Sequence, residues 1–247
     1  KQFEGRGKVH PTVILTRPKI QSERFAAAMD AACGEALTYL IAPLMEIVPV
    51  DCDPVTKECA HVIFTSVNGV DQAARLGVPK TAIAWCVGDQ TTQAARALGF
   101  DTRNARGSSA DLIAMIRDAA PTGLMVHLRG AHASGRVVET LSAAGCEIAG
   151  LVTYQQQELS PPDQLMAAFQ TNDSFIVPLF SPRSARIFSA TALSAAPLHL
   201  VAISEATLQE IPKRPDDKVL LASTPDQAGM ISAIMTVIDS LSPTNTP

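Results

Sequence analysis

The feature that most constrains this chain is that it carries one folding unit twice. Residues 61–69 read His-Val-Ile-Phe-Thr-Ser-Val-Asn-Gly. Val62, Ile63 and Phe64 suit a buried strand, and Thr65, Ser66, Asn68 and Gly69 then supply turn and helix-capping chemistry. Residues 175–185 repeat the grammar: an apolar run ending at Phe180 leads into Ser181-Pro-Arg-Ser184, which sets Phe180 opposite Phe64 and Ser181 opposite Thr65 at an offset of 116. The same offset of 116 sets Val87-Gly88 against Ile203-Ser204 and Thr91 against Thr207. At smaller offsets residues 13–17 match 125–129, residues 34–44 match 145–155, and residues 108–116 match 223–231. The pairs follow one another in collinear order, which points to an internal duplication.

A length of 247 residues accommodates two domains, each of about 100 to 125 residues. Hydrophobic residues make up 47% and charged residues 18%, an ordinary globular composition with ample core material. The net charge of −4 gives no general attraction for nucleic acid or an anionic membrane, so neither is expected as a partner. The longest apolar stretch, residues 37–50, is broken by Pro43, Glu46 and Pro49 and cannot span a bilayer as a helix. Five cysteines, at 33, 52, 59, 86 and 146, form no Cys-x-x-Cys pair and read as reduced thiols of a cytoplasmic protein. Cys33, Cys86 and Cys146, among apolar neighbours, are expected in the core. Residues 1–10, polar and without a signal peptide's apolar core, read as a flexible start, and the tail from Ser242 as frayed.

The patterning predicts strands over residues 12–16, 62–65, 82–87, 124–129, 175–180, 198–203 and 219–222. It predicts helices over 22–32, 68–76, 91–98, 110–119, 133–144, 161–170, 183–194 and 205–210, and from Thr224-Pro-Asp226 onward. Residues 37–50 and 148–157 should be extended. Such alternation implies a mostly parallel sheet covered on both faces, formed twice, with ligands bound beyond the carboxyl ends of the strands.

Cofactor motifs are missing from the sequence. No Gly-x-Gly-x-x-Gly follows a strand, and Gly130-Ala-His-Ala-Ser-Gly135 shares only its two glycines with a P-loop. The five histidines, at 10, 61, 127, 132 and 199, show no metal-ligand spacing; His61, His127 and His199 read as packed or hydrogen-bonded beside strands. What remains is a set of small polar residues at helix starts: Thr65, Ser66 and Asn68; Gly88 and Thr91; Ser108 and Ser109; Ser181 and Ser184. Several helix starts gathered together would bind carboxylates or phosphates, although each residue taken singly is better explained as a cap. Arg17, Arg129 and Arg183, at strand ends or helix starts, add weight to anion binding.

Together Val13-Ile-Leu-Thr-Arg-Pro18, Ile63-Phe-Thr-Ser-Val-Asn-Gly-Val70, Val87-Gly-Asp-Gln-Thr91, Ala110-Asp-Leu112, Val152-Thr-Tyr-Gln155 and Phe180-Ser-Pro-Arg183 resemble uroporphyrinogen-III synthases, from residue 12 to about 238. The resemblance implies two similar parallel-sheet α/β domains, flavodoxin-like in build, joined by a two-stranded β connector, with the active site in the cleft between them. Residues 1–43 and 157–247 would form one discontinuous domain, residues 51–149 an inserted one, and residues 44–50 and 150–156 the connector, with Leu44 near Gln155. It further implies a monomeric lyase without metal or organic cofactor. That enzyme closes hydroxymethylbilane to uroporphyrinogen III with loss of water and inversion of ring D. Tyr154 matches the tyrosine held to assist departure of the hydroxyl. Arg17, Thr65, Ser66, Asn68, Gly88, Thr91, Ser109, Arg129, Ser181, Arg183 and Thr207 would bind the substrate's carboxylates. One turn departs from the pattern: Ser204 stands where the family has glycine, which weakens the expectation of close backbone approach there. Two non-catalytic alternatives share the architecture, a two-lobed solute-binding protein and a regulatory module derived from the synthase fold that binds a tetrapyrrole or a protein partner.

Overall fold

The computed structural model of the chain describes residues 11–34, 36–55, 58–132, 135–171, 173–191, 196–212 and 214–241. The expected flexible start and frayed tail lie outside these residues. The chain divides into two compact units, Lys1–Glu46 with Glu158–Pro247, and Ile47–Gln157.

In chain order the first unit contributes β1 (Thr12–Leu15), α1 (Lys19–Cys33) and β2 (Tyr39–Ile41), and β3 (Met45–Pro49) leads into the second. The second then runs β4 (Cys59–Phe64), α2 (Val67–Ala73), β5 (Ile83–Cys86), α3 (Asp89–Ala97), β6 (Thr102–Asn104), α4 (Ser109–Ala119), β7 (Leu124–Gly130), α5 (Val137–Ala143) and β8 (Ile148–Glu158). The chain returns to the first unit through α6 (Asp163–Ala168), β9 (Phe175–Leu179), α7 (Pro182–Thr191), β10 (Leu198–Ala202), α8 (Glu205–Leu208), β11 (Lys218–Leu221) and α9 (Gln227–Leu241).

The duplication is visible in strand order. One sheet runs β11-β10-β9-β1-β2 and the other β6-β5-β4-β7-β8 with β3 added at its edge. Replacing β9, β10, β11, β1 and β2 by β4, β5, β6, β7 and β8 converts one order into the other. Every one of these pairings is parallel. The registers refine the repeat. Val13 pairs with Ile176 as Met125 pairs with His61, so β9 matches β4 at an offset of 115 rather than 116. Ser181 is therefore the counterpart of Ser66, and Phe180, not Ser181, occupies the place of Thr65.

Parallel strands are covered on both faces, so their residues alternate between two apolar cores. In the second unit Val62, Phe64, Val126 and Leu128 pack with Val70 of α2 and Ala95 of α3. Ile63, Trp85 and Met125 pack on the other face with Leu112 and Ile116 of α4 and Leu141 of α5. The first unit repeats this, with Val177, Leu179 and Leu200 against Phe188 of α7, and Val13, Leu15 and Ile176 against Phe25 of α1 and Ile234 of α9. Among the thiols Cys59 and Cys86 are buried, whereas Cys33 and Cys146 are only half-buried and not in the core as expected.

The edge pair β3–β8 differs from the rest. Leu159 N–H donates to Leu44 O and Val50 N–H to Thr153 O, so residue numbers rise along one strand as they fall along the other, and the pair is antiparallel. Leu44 thus faces Leu159 and not Gln155. Two further expectations change. α5 begins at Val137, because Gly135 takes φ +89° and Arg136 is its N-cap; residues 133–134 lie outside the described set. β6 was not anticipated, since Thr-Arg-Asn is a polar edge strand with no apolar alternation to reveal it.

Gly69 lies inside α2, where a Cβ would stand 2.6 Å from the Leu128 carbonyl oxygen, so the close approach of α2 to β7 requires glycine. Gly69→Ala is expected to lower unfolding free energy by about 1 to 2 kcal/mol in urea titration, overpacking outweighing the better helix propensity of alanine. A neutral or stabilising result would show that α2 can move off the sheet.

Candidate functional site

In each sheet the chain works outward along one side and then returns to the middle, so the crossovers diverge at one strand pair. That pair is β4 and β7 in the second unit, β9 and β1 in the first. Loops leaving the carboxyl ends of two such strands turn away from each other and leave a crevice, the usual ligand position in an open parallel sheet. Thr65 follows β4 and Arg129 ends β7, while Phe180 and Ser181 follow β9 and Arg17 follows β1. Strand topology therefore collects, unit by unit, residues singled out by their chemistry.

In the second unit the chemistry centres on Tyr154. β8 pairs Val152 with Arg129 but Tyr154 with Gly130, and the extra residue, Thr153, makes a bulge. Bulges re-aim side chains. Here the phenol lies over Gly130, where a Cβ would come within 2.7 Å of Tyr154 Cε2. The bulge is held by Arg75, whose Nη2 donates to Thr153 O at 3.1 Å and Val50 O at 3.0 Å while Nε donates to Gln72 Oε1. Tyr154 is buried, and desolvation raises its pKa; hydrogen bonding by Ser66, Asn68 and the Gly130 backbone pulls the other way. The phenol is thus kept protonated, a hydrogen-bond donor in a polar niche.

Beside it, Thr65 Oγ1 lies 3.1 Å from His127 Nε2. His127 is 2% exposed, and burial lowers its pKa from 6.5 to about 4, with Arg129 acting in the same sense and Glu139 opposing. The ring is neutral at ordinary pH. Arg129 Nη1 reaches Gly130 O at 3.4 Å.

The helix starts do not behave alike. Ser66 Oγ accepts from Asn68 N–H, Ser108 shares a capping box with Asp111, and Ser204 Oγ accepts from Thr207 N–H. Ser181 and Ser184 cap reciprocally, each hydroxyl accepting from the other's N–H. Those serines are engaged as caps. At α3 the N-cap is Gly88, without a side-chain cap, and a Cβ there would meet nothing within 4 Å. Its φ of −161° is open to any residue, so the fold does not demand this glycine. Thr91, buried, sits in the first turn of α3, and Ser109 packs against Gly135. Ser204, the counterpart of Gly88, fills the equivalent start of α8.

In the first unit Arg17 lies with Cζ 4.3 Å from the centroid of Phe180, and Phe25 meets the same ring edge-on. No acidic side chain pairs with Arg17 among the described residues, and burial lowers its pKa to about 10, leaving it cationic near neutrality. Next to it the Thr16 hydroxyl is buried without a hydrogen-bond partner among the described residues. Arg183 instead bonds Glu158 at 3.3 Å, and Thr207 is buried with its hydroxyl 3.0 Å from Ser204 Oγ. His127, Arg75 and the bulge were not anticipated as parts of the site; the one sequence signal was a glycine, Gly130, at a strand end, where close approach is common.

The family model described as uroporphyrinogen-III synthase HemD matches residues 25–232. The chain belongs to the uroporphyrinogen-III synthase family. Members of this family are enzymes of tetrapyrrole synthesis, and the chain is one of them. Among solved structures it is similar to the uroporphyrinogen-III synthetase of Helicobacter pylori 26695, at 14% identity and a TM-score of 0.62, over 92% of this chain and 99% of that one. A mutant uroporphyrinogen III synthase from the extremely thermophilic bacterium Thermus thermophilus aligns at 12% identity and a TM-score of 0.49, over 93% and 99% of the two chains. No curated protein matches the sequence. The first likeness supports the two-unit synthase fold, and no helix of the described residues is long and apolar enough to cross a membrane.

Two measurements follow from the geometry. Gly88→Ser should keep or slightly raise stability, since serine caps better than glycine, yet raise KM by closing the start of α3; an unchanged KM would remove that turn from the site. Unfolded His127 protonates near pH 6.5 and the folded residue near 4, so its neutral form contributes stability that is complete above pH 6.5 and lost as pH falls toward 4. The stability difference between wild type and His127→Gln should therefore shift, between pH 7 and pH 4, by at most about 3 kcal/mol against wild type. A constant difference would contradict a buried neutral ring.

Proposed function

We propose that this synthase-family member closes hydroxymethylbilane to uroporphyrinogen III as a hydro-lyase, and that the strand ends described above bind and position the substrate. Family membership across residues 25–232 carries the reading and gives no support to the non-catalytic alternatives. The chemistry of the residues agrees with it. A substrate bearing eight carboxylates suits the cation Arg17, which has no acidic partner among the described residues, as well as Arg129, the Thr65 hydroxyl and the open α3 start at Gly88 and Thr91. Ser66, Asn68 and Ser109 in the second unit, and Ser181, Arg183 and Thr207 in the first, are assigned as further polar contacts of the substrate.

In the reaction the hydroxymethyl C–O bond breaks and the hydroxyl leaves as water, taking one proton. The resulting cation is attacked by a pyrrole carbon of ring D; a spiro intermediate rearranges, and closure releases a proton. Tyr154, a protonated phenol held by the β8 bulge, is placed in this scheme as the donor to the departing hydroxyl. With its pKa raised it is a weak acid, so its part is a hydrogen bond to the leaving oxygen, and most of the acceleration comes from holding the chain folded while the cation reacts.

The test is to generate hydroxymethylbilane in place, add the protein, oxidise the products and separate the uroporphyrin isomers. A clear excess of type III is expected; type I alone, the product of closure without an enzyme, would overturn the assignment. Tyr154→Phe should lower kcat by about tenfold or less with the isomer ratio kept, the loss of one hydrogen bond. A fall of many orders of magnitude in the folded variant would make Tyr154 an essential acid.

A further inference from the structure

The His127–Thr65 contact has a direction that the surroundings of the two side chains determine. On β7 the residues alternate between faces: Met125 belongs to the core of Ile63 and Trp85, Val126 and Leu128 to the opposite one. His127 falls on the Met125 face, between Ile63 on β4 and Gly150 on β8 in the pairing register. Gly150 offers no side chain, and a Cβ there would meet Val138 Cγ2 at 2.9 Å and Arg129 Nε at 3.5 Å. Neither neighbour can accept a hydrogen bond from an imidazole N–H. Among the described residues Nδ1 is buried without a hydrogen-bond partner, and Nε2 has Thr65 Oγ1.

A neutral imidazole carries a single N–H. Placing it on Nδ1 would strand a buried donor, whereas placing it on Nε2 leaves only a buried lone pair and satisfies the hydrogen. The Nε2–H then donates to Thr65 Oγ1. Thr65 has one hydrogen of its own, and with His127 already a donor that hydrogen must go elsewhere. Thr65 is half-buried at the carboxyl end of β4, at the strand pair where the crossovers diverge.

We propose that His127 is a positioning residue that fixes Thr65 as a hydrogen-bond donor, aimed at a carboxylate of the substrate. This rests on the synthase reading, because it takes hydroxymethylbilane as the ligand. Carboxylates accept and do not donate, so a threonine that takes an imidazole N–H on one lone pair and keeps its own hydrogen to give is matched to them. The first unit has no counterpart: Phe180 stands in place of Thr65 and Leu15 in place of His127, and Arg17, the counterpart of Arg129, lies against the Phe180 ring.

The first test needs no substrate. Nitrogen-15 NMR of the histidine side chains, assigned by the loss of one signal set in His127→Gln, should find His127 protonated on Nε2 and bare on Nδ1 near neutral pH. Protonation on Nδ1 would overturn the proposal. The second is kinetic. His127→Leu and Thr65→Val should each raise KM for hydroxymethylbilane about tenfold with kcat within about twofold, the double variant being no worse than either. His127→Gln, which keeps an N–H donor, should return KM to within about threefold of wild type. An unchanged KM in Thr65→Val, or additive effects in the double variant, would contradict the proposal, as would failure of a folded His127→Gln to rescue. A wild-type protein giving no excess of type III isomer would sink the synthase reading instead, a failure distinguishable because the tautomer is read without substrate.

Discussion

The parallel pairing of β4 with β7, and of β9 with β1, is the constraint on which the rest depends. Phe64 aligns with Leu128 in one sheet and Val13 with Ile176 in the other, and in both the chain comes back to the middle after running to an edge. A right-handed crossover can then go only one way on each side, so the loops beyond these strands separate. Gly69 makes the close approach possible by letting α2 rest on the Leu128 carbonyl. Thr65 with His127 and Arg129 in one unit, and Arg17 with Phe180 in the other, lie at these two adjacent strand ends.

The two copies share the scaffold and differ at its rim. One has Thr65 on His127, an uncapped glycine at the start of α3, and a tyrosine turned over Gly130 by a bulge. The other has Arg17 against Phe180, and Ser204 and Thr207 bonded to each other where the first has open backbone. The first rim offers directional donors, and the second offers a cation on an aromatic face with a closed helix start. A duplicated fold can diverge in this way cheaply, because strand-end residues contribute little to either apolar core.

Much of the architecture was legible because burial writes itself into sequence: Val62 to Phe64 and Phe175 to Leu179 are continuous apolar runs, as strands covered on both faces must be. The duplication was legible for the same reason, to within one residue. The error at Ser181 arose because Phe64 and Phe180 look alike, whereas register is set by backbone pairing, in which Phe180 lies one step past the strand. Of the site, Thr65, Gly88, Tyr154 and Arg17 could be singled out by type and by family resemblance. The partner of Thr65 could not, since His127 sits 62 residues away and reads as any strand histidine. Nor could the bulge at Thr153 or the grip of Arg75 upon it, for these depend on backbone carbonyls that no side-chain pattern reports. Serines that looked like a ring of anion ligands are mostly closed on their own helices, a competition between capping and binding that only geometry decides.

The central proposal is that the carboxyl ends of β4, β5, β7 and β8 bind carboxylates of the substrate while the Tyr154 phenol faces the departing hydroxyl. A crystal structure with uroporphyrinogen III bound tests it most directly. The account predicts product carboxylates within hydrogen-bonding distance of Thr65 and of the Gly88 turn, with the Tyr154 phenol turned toward the macrocycle. A product bound away from these strand ends, or carboxylates gathered at the capped starts of α7 and α8 instead, would contradict it.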